Sequence, residues 1–330
     1  MNQDYLRIIR AMSHPQTPRS TGEESKLQPL REIEAVLFDI YGTLFISCSG
    51  DVGVRLPGLT HADGSQESRD RPEDLLAGVL GKRFFELFSP ELTAGCSPRE
   101  AQSEKLQVNT EEACHEFGQR LIICFRNEVQ KIHRAKRQQG LLWPEVDVRD
   151  IWRSVIAELN VAMAGDNSQV DRWAIEYEVR TNPVWPMPNA NDCIDRLGSA
   201  NLKLGIISNA QFYTPLLFPA LLNKRLEDLA IDSEMQYYSY LCGRAKPDPW
   251  MFQQASKTLA EGGIVAERTL YVGNDLRNDV LPASQIGFRT ALVATDRRSL
   301  RWREGDPSVE HVVPDLVVTN LSDVVDCVLS

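Results

Sequence analysis

AVLFDIYGTLF, residues 35–45, runs from an apolar stretch straight into Asp39 and then Tyr-Gly-Thr. A carboxylate directly after Val36, Leu37 and Phe38 is badly placed for a core. It is well placed at the carboxyl end of a buried parallel strand, and in open α/β sheets ligands sit at those ends. Asp39 is therefore a nucleophile, a metal ligand or a loop cap, and the strand alone does not choose among them.

Four later runs share the pattern: LKLGIISN (202–209), TLYVGND (269–275), TALVAT (290–295) and DLVVTN (315–320). Helix-like stretches separate the later ones, PWMFQQASKTLAEGG from 249 and DVLPASQIGF from 279. Strands alternating with helices imply βαβ units and a parallel sheet, so the fold class expected is α/β with a Rossmann-like core. The segment between the first two strands has a different texture. After a Gly-, Asp- and Arg-rich stretch (Ser49–Arg71), it shows helical periodicity in PEDLLAGVLGKRFFELF, TEEACHEFGQRLIICFRNEVQKIHRAKRQQG, VDVRDIWRSVIAELNVAM and QVDRWAIEYEVR. We expect an inserted α-helical cap over 49–185, with PVWPMPNA (183–190) returning the chain to a core made of 32–48 and 186–330. Residues 1–31 hold an amphipathic stretch, Tyr5 to Met12, followed by a segment rich in Ser, Pro, Gln, Glu and Arg, and are expected to form a flexible lead-in.

The bulk numbers narrow the class of function. With 330 residues and 42% apolar content the chain can bury a substantial core, and 25% charged residues is ordinary for a globular protein. A formal net charge of −10 argues against a general nucleic-acid binder, which carries a basic face. No apolar run approaches the roughly 18 residues of a membrane span, and no basic segment leads into an apolar signal. The seven cysteines (48, 96, 114, 124, 193, 242 and 327) are odd in number and include no CxxC pair. That usage reads as a reducing compartment, and the expected location is cytoplasmic.

The candidate constellation is Asp39 with Thr43, Ser208 with Asn209, Lys246, and the group Asn274, Asp275 and Asp279. Three of these segments follow an apolar strand, and Lys246 lies in a Gly-Arg-Ala-Lys-Pro-Asp-Pro turn opening a helix. A parallel sheet gathers all four along one edge. Gly42 permits a tight turn beside a bound group and Thr43 supplies a hydroxyl. Ser208 and Asn209 offer neutral donors to an oxyanion, which Lys246 can neutralise. Clustered carboxylates repel one another unless protons or a cation intervene. A hard ion such as Mg²⁺, held by one or two carboxylates, a backbone carbonyl and waters, relieves that repulsion. Asp39 can then attack an electrophilic centre to give an ester or acyl phosphate that water hydrolyses.

Asp39-Ile40-Tyr41-Gly42-Thr43-Leu44, Ile207-Ser208-Asn209, Lys246-Pro247-Asp248 and Gly273-Asn274-Asp275-Leu276-Arg277-Asn278-Asp279 resemble, in order, the four motifs of the haloacid dehalogenase-like hydrolase superfamily. The long insertion stands where the helical cap of that superfamily stands. The resemblance implies Asp39 as nucleophile and Ser208 and Lys246 as stabilisers of the transferred group. It implies a Mg²⁺ site from Asp39, Tyr41 and the fourth motif, whose candidates are Asn274 and the acids Asp275 and Asp279. It also implies a small, anionic substrate.

Tyr41 departs from the phosphatase pattern, which has a second aspartate there as acid and base. A phenol with a pKa of about 10 is a poor proton shuttle near neutrality. A tyrosine at this place looks like the 2-haloacid dehalogenases, whose halide leaves without a proton. The acidic fourth motif favours Mg²⁺-dependent phosphoryl hydrolysis instead, and that is the first expectation. Carbon–halogen hydrolysis is the alternative, and an inactive binding or regulatory protein the third. Arg55, Arg69 and Arg71 are candidates for a substrate-holding arginine; Trp143, Trp152 and Trp173 are expected to be core more readily than pocket.

Overall fold

The computed structural model describes residues 3–47, 76–94, 111–161 and 167–330. Its centre is a six-stranded sheet of β1 (Ala35–Phe38), β4 (Lys203–Ser208), β5 (Ile231–Tyr238), β6 (Thr269–Gly273), β7 (Arg289–Val293) and β8 (Leu316–Val318). The strand order is β5-β4-β1-β6-β7-β8, and every pairing is parallel. The five strands expected from the sequence are all present, and β5 adds an edge.

Successive side chains of a strand point to opposite faces, and the two faces have separate cores. Val36, Phe38, Ile206 and Val272 enter one, closed by α6 (Ala190–Ser199) and α10 (Leu321–Leu329) through residues such as Ile194, Leu197, Val324 and Val325. Ala35, Leu37, Ile207 and Tyr271 enter the other, closed by α8 (Trp250–Glu261) through Met251, Phe252, Ala255 and Leu259. Because β1 is buried on both sides, its four residues are apolar throughout. Helices on both faces of a parallel sheet make this a Rossmann-like α/β fold.

The chain leaves the core through β2 (Phe45–Ser47) and returns through β3 (Val184–Pro186), and these pair antiparallel. Between them lie α2 (Ala77–Ala94), α3 (Glu111–Gln138), α4 (Val148–Glu158) and α5 (Ser168–Thr181). Their core is aromatic: Phe125 stacks on Trp152 at 4.7 Å between ring centroids, and Trp152 meets Trp173 edge-on at 5.3 Å. Trp152 and Trp173 are therefore packing residues, while Trp143 stays partly exposed. Gly81 and Gly118 bring α2 and α3 together, since a Cβ on either would lie under 2 Å from a carbonyl oxygen of the other helix.

The expected flexible lead-in is a correction. Gln3–Met12 is a helix, α1, whose Leu6, Ile8 and Ile9 join the main core. Arg10 donates to the carbonyls of Ala220 and Pro219 at 2.8 and 2.9 Å. Downstream, the Arg19 amide donates to Asp296, Thr21 donates to the Ala294 carbonyl, and Lys26 pairs antiparallel with Val317 at the sheet edge. Polar composition hid these bonds because most of them involve the backbone. Arg55, Arg69, Arg71 and the stretch Ser49–Arg71 lie outside the described residues.

Candidate active site

Parallel pairing of β1 with β4 and β6 aligns the ends of three strands: Phe38 sits opposite Ile206 and Val272. One residue beyond Phe38, the Asp39 amide still donates to the Val272 carbonyl at 2.9 Å, so its side chain is held at the strand edge and is buried. Ser208 ends β4, and Lys246 comes from the turn ahead of α8. Ser208 Oγ and Lys246 Nζ each donate to Asp39 Oδ1 at 2.8 Å. Thr43 Oγ1 reaches Asp39 Oδ2 at 3.5 Å. One carboxylate oxygen is thus anchored and the other is only lightly engaged.

Asn209 differs from its expected role as an oxyanion donor. Its Oδ1 accepts from the Lys246 amide at 2.7 Å and its Nδ2 donates to the Lys246 carbonyl at 3.3 Å. Both ends of the amide are occupied in holding the lysine turn against β4.

Lys246 also donates to Asp279 Oδ1, a very short contact, and to Tyr271 Oη at 3.1 Å. Burial works against the ammonium, but the facing carboxylates of Asp279 and Asp39 outweigh it and lift the lysine above its ordinary range. Asp279 Oδ2 accepts the amides of Asn274 and Asp275, both at 3.0 Å. Burial pushes the Asp279 carboxyl up, to about 7, against the pull of Lys246.

Asp275 points to different partners. It caps the turn Leu276–Val280 by accepting the amides of Arg277 and Asn278, and it pairs with Arg303. Where the sequence suggested that only an ion would let these acids coexist, the protein supplies cations of its own: Arg303 answers Asp275, and Lys246 answers Asp279 together with Asp39. Arg303 lies 28 residues from Asp275 in a loop with no sequence signature, so nothing in the motif revealed it.

Asn274 is the member of this group that meets Thr43, whose hydroxyl also reaches Asp39. Its Nδ2 donates to the Ser299 carbonyl at 2.6 Å, which turns Oδ1 toward Thr43 Oγ1 at 3.2 Å. Gly42, at φ +89°, makes room: a Cβ there would fall 2.4 Å from the Asn274 amide nitrogen. No group of three or more His, Cys, Asp or Glu with metal-holding geometry occurs among the described residues.

Tyr41 is turned away from acid–base service. Its hydroxyl shares a 2.9 Å hydrogen bond with Thr214 Oγ1, and burial raises the phenol above its ordinary pKa. No helix among the described residues is long and apolar enough to cross a membrane.

The strand order and the buried lysine–carboxylate pair at the strand ends define a Rossmann-like α/β protein with a site at the carboxyl edge of its sheet. Residues 243–324 match the family described as HAD-hydrolase-like. Rhythmically expressed gene 2 protein of Drosophila melanogaster is 34% identical over 119 residues, 34% of this chain and 42% of that protein. Phospholysine phosphohistidine inorganic pyrophosphate phosphatase of Mus musculus is 31% identical over 106 residues, 31% of this chain and 37% of that one. The matched stretch thus spans less than half of either relative. Among solved structures, a 2-haloacid dehalogenase from Pseudomonas syringae pv. Tomato DC3000 gives a TM-score of 0.49 at 16% identity, over 89% of this chain and 97% of that one. The family match and these relatives support membership of the haloacid dehalogenase-like hydrolase superfamily.

Proposed function

We propose that the protein is a hydrolase of small phosphorylated molecules, working through a covalent intermediate on Asp39. The observation that carries this reading is the seating of Asp39 Oδ1 between Ser208 Oγ and Lys246 Nζ, each at 2.8 Å. A carboxylate attacking phosphorus forms an O–P bond as the bond to the leaving group breaks. Ser208 and Lys246 then face the oxygens of the transferred group, where negative charge concentrates, and preorganised donors act strongly in such a buried place. Water next attacks the phosphorus, releasing phosphate and restoring the Asp39 carboxylate.

Mg²⁺ would fit as a partner in this site, and Asp39 and Asn274, with the backbone carbonyl of Tyr41, are the groups that would hold it. Mg²⁺ is commonly bound by one or two carboxylates, with waters and substrate phosphate completing its shell. Here the Asn274 amide is oriented by Ser299 so that an oxygen, not a nitrogen, meets Thr43, whose hydroxyl reaches Asp39. When bound, the ion would neutralise charge on the phosphoryl oxygens. Asp275 and Asp279 are occupied elsewhere and act as framework in this reading. The helices between β2 and β3 would serve as a cap that excludes water from the site.

Tyr41 favours a second reading, carbon–halogen hydrolysis, because a halide departs without the proton that Tyr41 is ill placed to give. Hydrolysis of an aryl phosphate with and without Mg²⁺, beside halide release from 2-chloropropionate, separates the two. Mg²⁺-stimulated phosphate release that vanishes in Asp39→Asn supports the first. Halide release alone supports the second, and neither activity leaves a binding protein.

A further inference from the structure

Tyr271 is buried in β6, and its ring packs edge-on against Phe252 at 4.8 Å between centroids. An apolar ring would fill that space equally well. The hydroxyl, however, lies among three polar groups: the Ile207 carbonyl at 2.7 Å, Asp279 Oδ1 at 3.1 Å and Lys246 Nζ at 3.1 Å. A phenol has one proton to give. The Ile207 carbonyl is its nearer acceptor, which leaves the phenolic oxygen free to accept from Lys246.

An ammonium carries three N–H bonds. The three nearest acceptors of Lys246 are Asp279 Oδ1, Asp39 Oδ1 at 2.8 Å and Tyr271 Oη at 3.1 Å; the Ile207 carbonyl is more distant at 3.4 Å. Three donors thus meet three acceptors. With two protons fixed inside the protein by Asp279 and Tyr271, the third has a single direction left, toward Asp39.

We propose that Tyr271 is a positioning residue that locks the rotation of the Lys246 ammonium, so that one N–H points at the nucleophile and at the group it receives. The inference rests on the hydrolase reading of Asp39 and Lys246, and it goes beyond that reading by giving the lysine a fixed orientation. The lock matters most once Asp39 is esterified. The carboxylate charge is then replaced by that of the transferred group, and Asp279 and Tyr271 hold the other two N–H bonds so that the third stays aimed at it.

Tyr271→Phe keeps the ring and removes only the hydroxyl. We expect kcat to fall about ten- to hundredfold, the worth of a hydrogen bond to a charged group, with KM changed far less. Tyr271→Leu, which removes the ring as well, should lower thermal stability further without a comparable further loss in kcat. In parallel, the Lys246 side-chain ammonium is observed by ¹H–¹⁵N NMR on the full chain. In the native protein its signal should be sharp and protected from solvent exchange; in Tyr271→Phe it should broaden or be lost. A sharp, protected signal in Tyr271→Phe overturns the inference, whatever the activity. Unchanged kcat in Tyr271→Phe beside an active, Asp39-dependent native enzyme overturns it as well. A native protein with no Asp39-dependent turnover defeats the hydrolase reading instead, and the NMR comparison still decides the role of the hydroxyl.

Discussion

Lys246 Nζ donates to Asp39 Oδ1 at 2.8 Å across 207 residues of sequence. Both side chains are almost wholly buried, and Asp279 stands against the same ammonium. A buried charge left without a partner is costly, but removing Asp39 does not leave Lys246 alone. Asp39→Asn should therefore lower turnover by about 10⁴-fold or more, while its melting temperature stays close to that of the native protein. Parallel rate and calorimetric measurements check both halves.

Tyr41→Asp would return a proton donor to the place where the phenol is tied to Thr214. Without such an acid, the rate should fall steeply as the leaving group becomes more basic. Across a series of aryl and alkyl phosphates, the variant should flatten that dependence and gain about 10²-fold or more on the alkyl esters. A slope identical in the two proteins would remove Tyr41 from the account of selectivity.

Asn274→Asp would add a second carboxylate beside Asp39. Magnesium titrations of activity should then show half-saturation at about tenfold lower metal concentration, and chelation with EDTA should silence both proteins. Isothermal titration with the metal alone gives the same comparison without turnover.

Asp39, Ser208 and Asn274 were legible because each stands at the end of, or just beyond, a mostly apolar run buried on both faces of the sheet. β2, β3 and β5 were not. β2 and β3 are three residues each and pair with each other, while β5 buries only Ile231, Met235 and Tyr238 and carries Asp232, Ser233 and Glu234 between the first two, so neither an apolar run nor an alternation marks it. The use of Asn209 on the lysine backbone and of Arg303 on Asp275 depends on distances that no spacing encodes.

The N-terminal segment was hidden by composition, yet its apolar side chains are deeply placed. Ile9 is 1% exposed. Ile9→Ala should cost ~2–4 kcal/mol of stability, read from urea unfolding, as befits a large-to-small change in a packed core. A cost near zero would restore the picture of a loose lead-in.

Glu176 of α5 is buried between Arg83 and Arg180. Burial works to raise its carboxyl, but the two guanidinium groups prevail and hold it below the ordinary range. A depressed folded-state pKa contributes stability that is present above the ordinary carboxyl range and lost as the pH falls through it. Glu176→Gln should accordingly be less stable than the native protein at neutral pH, and the difference should shrink on acidification below about pH 4. Thermal melts across that range read the difference directly.

The central claim is that Asp39 becomes covalently bonded to the group it removes. The direct measurement is to quench the enzyme during turnover of an aryl phosphate, reduce it with borohydride, and sequence the peptide containing residue 39 by mass spectrometry. An acyl phosphate at Asp39 is reduced to homoserine, and that residue should appear at position 39 in a substrate-dependent way. Unmodified aspartate at 39 under conditions of rapid turnover, with full activity retained by Asp39→Asn, would contradict the account.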